Sequence, residues 1–183
     1  MKIAFIGTHG IGKTTLAHEL CAALKKRHIT TELLQEVAGT CPLPINEKTG
    51  KSSQEWILTT QLQKEIELEY RLSKSSKPGV LVCDRSIFDA YVYSYNAMGH
   101  DEVWKNLVLS RMPTYDLLFK VSINPDYGLT ADGVRSVDSI FQQSIDKKMD
   151  DLLEQFKIPV KKHISIESTL ETVLAMYRGI SAK

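Results

Sequence analysis

Eight residues near the start of the chain combine the side chains and the backbone freedom that a polyphosphate site needs. Residues 7–14 read GTHGIGKT and match the phosphate-loop pattern G-x-x-x-x-G-K-[ST]. The glycines let backbone N–H groups approach phosphate oxygens, Lys13 can reach the β and γ phosphates, and the Thr14 hydroxyl can bind Mg²⁺. The pattern therefore predicts binding of ATP together with Mg²⁺.

The predicted nucleotide contacts extend over the whole loop and one residue beyond it. His9 is not required by the pattern, and we expect it to line the phosphate or acceptor site rather than bind a metal, because no second histidine lies at ligand spacing. The expected nucleotide-binding residues are Gly7, Thr8, His9, Gly10, Ile11, Gly12, Lys13, Thr14 and Thr15.

A second group of residues that could take part in catalysis is Asp84-Arg85-Ser86, which follows the apolar run 80–83. A carboxylate at the end of a buried strand beside a phosphate loop can bind Mg²⁺, usually through water, so we expect the metal at Thr14 and Asp84. The planar guanidinium of Arg85 can hold a phosphate or the acceptor bidentately. The alternative is that Asp84 caps the next helix and Arg85 only pairs with it.

The elements around these residues alternate between strand and helix. Strands are expected at 3–6, 30–35, 80–83, 115–121 and 160–165, and helices at 13–27, about 55–73, 87–98, 101–111 and 136–156, with a last helix near the end. Such alternation predicts an α/β fold, with helices on both faces of a five-stranded, mostly parallel sheet and ligands at the carboxyl ends of its strands.

Two capping boxes are expected to open helices. Ser52 lies three residues before Glu55 at the start of the long helix that follows the second strand. Ser168 lies three residues before Glu171 at the start of the last helix. The residues between the second strand and the long helix, about 37–53, are predicted to be an irregular loop with a function.

Bulk composition limits the classes of partner. The 183 residues suit one domain, 1–183, and 23 basic against 22 acidic residues give a net charge of +1, which makes nucleic acid an improbable main partner. No apolar run approaches the roughly 20 residues of a membrane span. Three widely spaced cysteines suit reduced thiols, so we expect a cytoplasmic protein. A monomer and a homodimer are both compatible with the sequence.

The phosphate loop and Asp84-Arg85-Ser86 together resemble the P-loop kinases of small metabolites, a group that holds thymidylate kinase, the deoxynucleoside kinases and the nicotinamide riboside kinases. With the segments at 36–38 (Glu-Val-Ala) and 132–135 (Asp-Gly-Val-Arg), the chain is most similar to the family that contains the ribosylnicotinamide kinase domain of the bifunctional NAD regulator. The resemblance implies a three-layer α/β/α P-loop NTPase fold of nucleoside and nucleotide kinase type, which phosphorylates a small acceptor with ATP.

The resemblance also implies roles for individual residues. Lys13 would act on ATP, and Asp84 and Arg85 would act at the metal and the phosphoryl group. Glu36 would face the acceptor as the base that takes the proton of the attacking hydroxyl, with Asp84 as the rival for that role. Arg135 would close over the transferring phosphate from a lid-like loop at about 124–135, and the alternative for Arg135 is a solvated loop residue.

The acceptor side is expected at about 37–73, in the loop and in the helix that holds Trp56 and Gln61. Tyr91 and Tyr95 lie four residues apart on the helix after Asp84-Arg85-Ser86, so that they either stack on a ring of the acceptor or pack inside the protein.

Two other functions stay open. One is an ATPase or nucleotide-dependent switch with a protein partner; a GTPase is disfavoured because no Asn-Lys-x-Asp segment follows any strand. The other is a polynucleotide end kinase, which the near-zero net charge opposes.

Overall fold

A parallel sheet forms the centre of the fold. The computed structural model describes residues 1–45, 49–124 and 138–181, and in them the strands are β1 (Lys2–Ile6), β2 (Thr31–Leu34), β3 (Val80–Asp84), β4 (Leu117–Lys120) and β5 (Lys161–Lys162). The strand order is β2-β3-β1-β4-β5, and every neighbouring pair is parallel. This confirms the predicted five-stranded parallel sheet.

Helices cover both faces of the sheet because each central strand is apolar on both sides. In β1, Ile3 and Phe5 point into one buried cluster and Ala4 and Ile6 into the other, as the two-residue period of a strand requires. The helices are α1 (Lys13–Lys25), α2 (Lys51–Ser73), α3 (Ile87–Met98), α4 (Glu102–Arg111), α5 (Ser139–Gln155) and α6 (Ile166–Ser181). The cluster around Phe5 packs on α1 and α6, and the other packs on α2, α3, α4 and α5.

Two predicted capping boxes are wrong. Helix α2 begins at Lys51 after Gly50, and no side chain caps it; Ser52 lies inside its first turn. At this end the helix is positioned by packing, since Ser53 and Gln54 are buried. Helix α6 begins at Ile166, so its box lies three residues earlier than predicted: the Ser168 N–H donates to Ser165 Oγ over 3.3 Å, and the Ser165 N–H donates to Ser168 Oγ over 3.4 Å.

Two other element boundaries differ from expectation. Helix α5 is capped by Asp138, whose carboxylate accepts from the N–H groups of Ile140 and Phe141, and the predicted start at residue 136 lies outside the described residues. Strand β5 is only two residues long rather than six, because it is an edge strand that pairs with β4 at Phe119 and Lys120 alone.

In the described part of the chain, no helix has the length and apolarity needed to cross a membrane. The cysteines at 21, 41 and 83 all carry free thiols, and Cys83 is buried in β3 as core.

Candidate active site

The loop between β1 and α1 adopts a conformation that only small residues permit. Gly7 has φ of 145°, and a Cβ there would lie 2.8 Å from the Val121 carbonyl oxygen. Gly12 has φ of 86° and caps α1, and a Cβ on it would meet nothing within 4 Å. The first turn of α1 holds no acidic residue to offset the positive end of the helix dipole, and residues 10–15 line a pocket. This is the arrangement of an anion site.

The side chain of Lys13 folds back onto the phosphate loop. Its Nζ donates a hydrogen bond to the carbonyl oxygen of Thr8, and the side chain is only 4% exposed. Burial, and to a lesser extent the positive charge of Arg85, lower the pKa of Lys13 to about 7 against the opposing effect of Asp89, Asp84 and Glu36. Among the described residues, the ammonium group of Lys13 therefore forms no ion pair with a carboxylate, and phosphate oxygens can supply the anionic partner.

ATP binding is expected to take up protons above pH 7. At pH 8 the unliganded Lys13 is mostly neutral because its pKa is about 7, whereas bound phosphates favour the ammonium form. Affinity for ATP should then fall between pH 7 and 9, by up to about tenfold per pH unit. Calorimetry at pH 8 in buffers of different ionisation enthalpy measures the uptake.

The control for this uptake is Lys25, an exposed lysine on the same helix. Lys25→Ala should keep the buffer dependence and Lys13→Ala should remove it. Heats that do not change with the buffer in the unmodified chain would contradict the assignment to Lys13.

Thr14 and Asp84 meet at the end of β3. The Thr14 hydroxyl donates to Asp84 Oδ2 over 2.6 Å. The other oxygen, Oδ1, is buried and has no hydrogen-bond partner among the described residues. No cluster of three metal-ligating side chains occurs in the described ranges. A threonine hydroxyl beside one carboxylate nevertheless fits Mg²⁺, which keeps several waters and takes phosphate oxygens as ligands.

Arg85 forms an ion pair with the residue that follows β2 by two positions. Arg85 Nε lies 2.6 Å from Glu36 Oε1, and the guanidinium also lies over the ring of Tyr93, 5.4 Å from its centroid. Burial is the largest single effect and lowers the pKa of Arg85, but Glu36, Tyr93, Asp89 and Asp84 together outweigh it and raise the pKa overall. The backbone of Arg85 has φ of 79°, a left-handed conformation that costs a non-glycine residue about 1 kcal/mol or more.

A buried carboxylate secures this unusual turn. Glu65, fully buried in α2, accepts hydrogen bonds at Oε1 from Gln61 Nε2 over 2.8 Å and from the Tyr115 hydroxyl. Gln61 Nε2 also donates to the Arg85 carbonyl over 3.4 Å, and the Tyr115 hydroxyl accepts from the Ile87 N–H over 3.0 Å. The other carboxylate oxygen of Glu65, Oε2, forms an ion pair with Lys2 Nζ at 2.9 Å. Through Gln61 and Tyr115, the carboxylate of Glu65 therefore stabilises the backbone on both sides of Ser86.

Glu65→Gln is expected to lower the free energy of unfolding by about 2–4 kcal/mol, because among the described residues it leaves the buried ammonium of Lys2 with one carboxylate partner, the more exposed Glu69. Denaturant unfolding measures the change. Glu67→Gln, at an exposed position of the same helix, should change it by less than about 0.5 kcal/mol. Equal stabilities of the two variants would contradict this role of Glu65.

Asp89 connects the two loops. Its Oδ1 accepts from the Gly7 N–H over 3.1 Å, and its Oδ2 accepts from both the N–H and the hydroxyl of Ser86 over 2.8 Å each. Burial raises the pKa of Asp89, while Arg85, Lys13 and the two backbone donors lower it. Ser86 and Asp89 form the capping box of α3, so the helix start also fixes the phosphate loop.

Two pockets meet at the Glu36–Arg85 pair. The loop pocket, about 300 Å³, is lined by residues 10–15, Glu36, Asp84 and Arg85. The large pocket, about 620 Å³, lies between α2 and α3 and shares Glu36 and Arg85 with it. The other residues of the large pocket are His9, Val37, Ala38, Gly39, Ile45, Gln54, Ile57, Gln61, Ser86, Asp89, Ala90 and Tyr93.

The family of the chain follows from comparison with known proteins. A family model described as an AAA domain matches residues 2–167. The chain belongs to this AAA domain family. A probable thymidylate kinase of Sulfurisphaera tokodaii is 29% identical over 121 residues, which make up 66% of this chain and 63% of the relative. The chain therefore matches less than two thirds of that relative's length.

Solved structures of kinases share the fold of this AAA domain. Thymidylate kinase from Ehrlichia chaffeensis superposes with a TM-score of 0.70 at 18% identity, over 95% of this chain and 98% of that one. Deoxyadenosine kinase from M. mycoides with bound dATP superposes with a TM-score of 0.60 at 17% identity, over 97% and 99% of the two chains. The predicted P-loop fold of nucleoside and nucleotide kinase type is confirmed. The closer resemblance to the ribosylnicotinamide kinase domain stays a prediction.

The AAA domain brings most of the predicted site residues together. Residues 10–15, Asp84, Arg85 and Glu36 line the loop pocket, and His9 lines the large pocket, where its Nδ1 lies 3.0 Å from the Tyr93 hydroxyl. Gly7 and Thr8 line neither pocket, and the buried Thr8 hydroxyl donates to the Gln142 carbonyl over 3.0 Å.

The predicted lid falls largely outside the described residues. Arg135, the segment 132–135 and nearly all of the lid-like loop lie there, as do residues 46–48 of the acceptor-side loop.

Of the two alternatives for Tyr91 and Tyr95, the structure confirms packing inside the protein. Tyr91 is 1% exposed and packs against Phe88, Tyr95 and Phe156, so the packing alternative holds. Tyr93 lines the large pocket instead.

Sequence reasoning missed three polar residues of the site. Asp89 could have been found, because Ser86 and Asp89 have capping-box spacing. Gln142, whose Nε2 donates to the His9 carbonyl over 2.8 Å, and Gln54, whose Oε1 is buried without a partner among the described residues, carry no local sequence signal.

Proposed function

We propose that this AAA domain is an ATP-dependent phosphotransferase that moves the γ-phosphoryl group of ATP to a small nucleoside, nucleotide or nicotinamide riboside-like acceptor. The observation that carries the proposal is the junction of the loop pocket and the large pocket at Glu36 and Arg85. A kinase needs donor and acceptor sites that open onto the same reacting atoms. The thymidylate and deoxyadenosine kinases among its relatives and structural neighbours support this reading.

In this proposal the phosphate loop binds ATP. The N–H groups at the start of α1 and the ammonium of Lys13 hold the phosphates, and Thr14 and Asp84 would hold Mg²⁺. The metal supplies neutralisation of charge on the phosphoryl oxygens when it is bound. Arg85 stabilises the charge that develops on the transferring group, and Arg135 would add a second cation from the lid.

Glu36 is proposed as the base for a hydroxyl acceptor. It lines both pockets, whereas Asp84 lines the loop pocket and accepts the hydrogen bond of Thr14. As the acceptor oxygen bonds to the γ-phosphorus, the bond from phosphorus to the ADP oxygen breaks and the hydroxyl proton passes to Glu36. The acceptor-side segment, 37–73, would contribute Gln54 and Ile57 to the pocket wall.

The test is ADP release from Mg-ATP with and without single acceptors, with mass spectrometry of each acceptor. A panel of nucleosides, nucleoside monophosphates and nicotinamide riboside covers the proposed classes. A phosphorylated product is the expected outcome. A slow rate of ADP release that does not change with any acceptor would contradict the proposal and favour an ATPase or switch with a protein partner. The cytoplasmic location and the homodimer stay predictions.

A further inference from the structure

We infer that the acceptor of this chain reacts through an uncharged hydroxyl group, and that the large pocket selects a nucleoside over the corresponding monophosphate. The inference rests on the proposed function, because it specifies the acceptor of that transfer. It differs from what a likeness to thymidylate kinase alone would suggest, since a thymidylate kinase phosphorylates a nucleotide.

The two kinds of acceptor need different surroundings. A phosphate monoester carries a charge of about −1.5 to −2 at pH 7, so it needs cations and no base. A hydroxyl carries no charge and must lose a proton as it attacks, so it needs a base within hydrogen-bond reach and no cation of its own. The charges on the pocket wall therefore distinguish the two.

The charged side chains that line the large pocket, among the described residues, are two carboxylates and one guanidinium. The guanidinium of Arg85 is already bonded to Glu36 at 2.6 Å. Asp89 accepts hydrogen bonds from one N–H at Oδ1 and from an N–H and a hydroxyl at Oδ2, which is the pattern of an ionised carboxylate. This wall repels a phosphate dianion and accepts a hydrogen bond from a hydroxyl.

The other cationic groups of the site line the loop pocket and not the large pocket. Lys13 lines the loop pocket, where it bonds to the Thr8 carbonyl, and the positive end of α1 faces the same pocket. Anion-binding groups are therefore concentrated where the donor phosphates bind. This division suits an anionic donor and a neutral acceptor.

The rest of the large pocket suits an uncharged ring system. Apolar groups of Val37, Ile57 and Ala90 line it together with Tyr93. Gln54, 3% exposed, presents a buried Oε1 that lacks a partner among the described residues, and a carboxamide oxygen accepts from N–H groups but repels phosphate oxygens.

Matched pairs of acceptors test the inference. Thymidine, deoxyadenosine and nicotinamide riboside are each compared with their own 5′-monophosphate, with Mg-ATP in excess and kcat/KM as the readout. The nucleoside should be favoured by about 100-fold or more in at least one pair, because like-charge contact opposes the monophosphate. A monophosphate used as well as or better than its nucleoside in every pair would overturn the inference and leave the proposed kinase intact.

A binding experiment without ATP tests the charge argument itself. Glu36→Gln removes a negative charge and releases Arg85, so the dissociation constant of the monophosphate should fall about tenfold relative to that of the nucleoside. Glu32→Gln, on β2 and outside both pockets, should change neither. A merely structural role of Glu36 would weaken both ligands equally, and that result would overturn the inference. If no compound of any pair is phosphorylated, the proposed function fails and the inference fails with it.

Discussion

Lys13→Ala is expected to lower ATP turnover by about 10²–10³-fold or more while the fold is retained. The ammonium of Lys13 lies in the loop pocket, and its removal leaves the N–H groups, the helix dipole and Arg85 to hold the phosphates. Stability should be kept or increased, because burial already disfavours the charged form of Lys13. ADP release in a coupled assay and thermal unfolding measure the two properties.

The matched control for Lys13→Ala is Lys25→Ala, which removes the same charge from an exposed position of α1. It should leave both turnover and stability unchanged. Unchanged turnover in Lys13→Ala would show that the phosphate loop takes no part in the reaction. If Lys13→Ala does not fold, its turnover cannot be interpreted.

Glu36→Gln is expected to lower the rate of phosphoryl transfer by about 10²–10⁴-fold while the affinity for ATP is kept or increased. The glutamine keeps the size of the side chain but cannot take the proton of the acceptor. Single-turnover product formation and equilibrium nucleotide binding separate the two effects. Equal losses in both would exclude Glu36 as the base.

Two comparison variants make the Glu36 result specific. Glu32→Gln should retain transfer, since Glu32 lies outside both pockets and pairs with Arg71 at the surface. Asp84→Asn should raise the Mg²⁺ concentration required for turnover. A Glu36→Gln enzyme of normal rate beside an inactive Asp84→Asn enzyme at saturating Mg²⁺ would assign the base to Asp84.

Local chemistry made the phosphate loop and the layers of the fold predictable. The loop is contiguous, so its glycines and Lys13 determine its geometry within eight residues. The alternation of apolar strands with amphipathic helices determines a parallel sheet covered on both faces, since each buried strand needs apolar partners on two sides. Both features were read correctly because they depend on neighbours in sequence.

Boundaries of helices that depend on tertiary packing are harder to predict from the sequence. The start of α2 was misplaced because burial of Ser53 and Gln54, rather than a capping side chain, determines where the helix begins. The role of the aromatic face of α3 stayed open in the sequence for a related reason. Helical spacing places Tyr91 and Tyr95 on one face and Tyr93 on the opposite one, but it does not state which face meets the core.

The sequence by itself determined that this chain holds a phosphate loop on a parallel sheet, because those features follow from residue type and short-range period. Only the tertiary structure decided how the site is assembled. Glu36 reaches Arg85 across 49 positions and Asp89 reaches Gly7 across 82. The strand order β2-β3-β1 places three carboxyl ends side by side, and this adjacency comes from crossover connections and shared burial rather than from any local pattern.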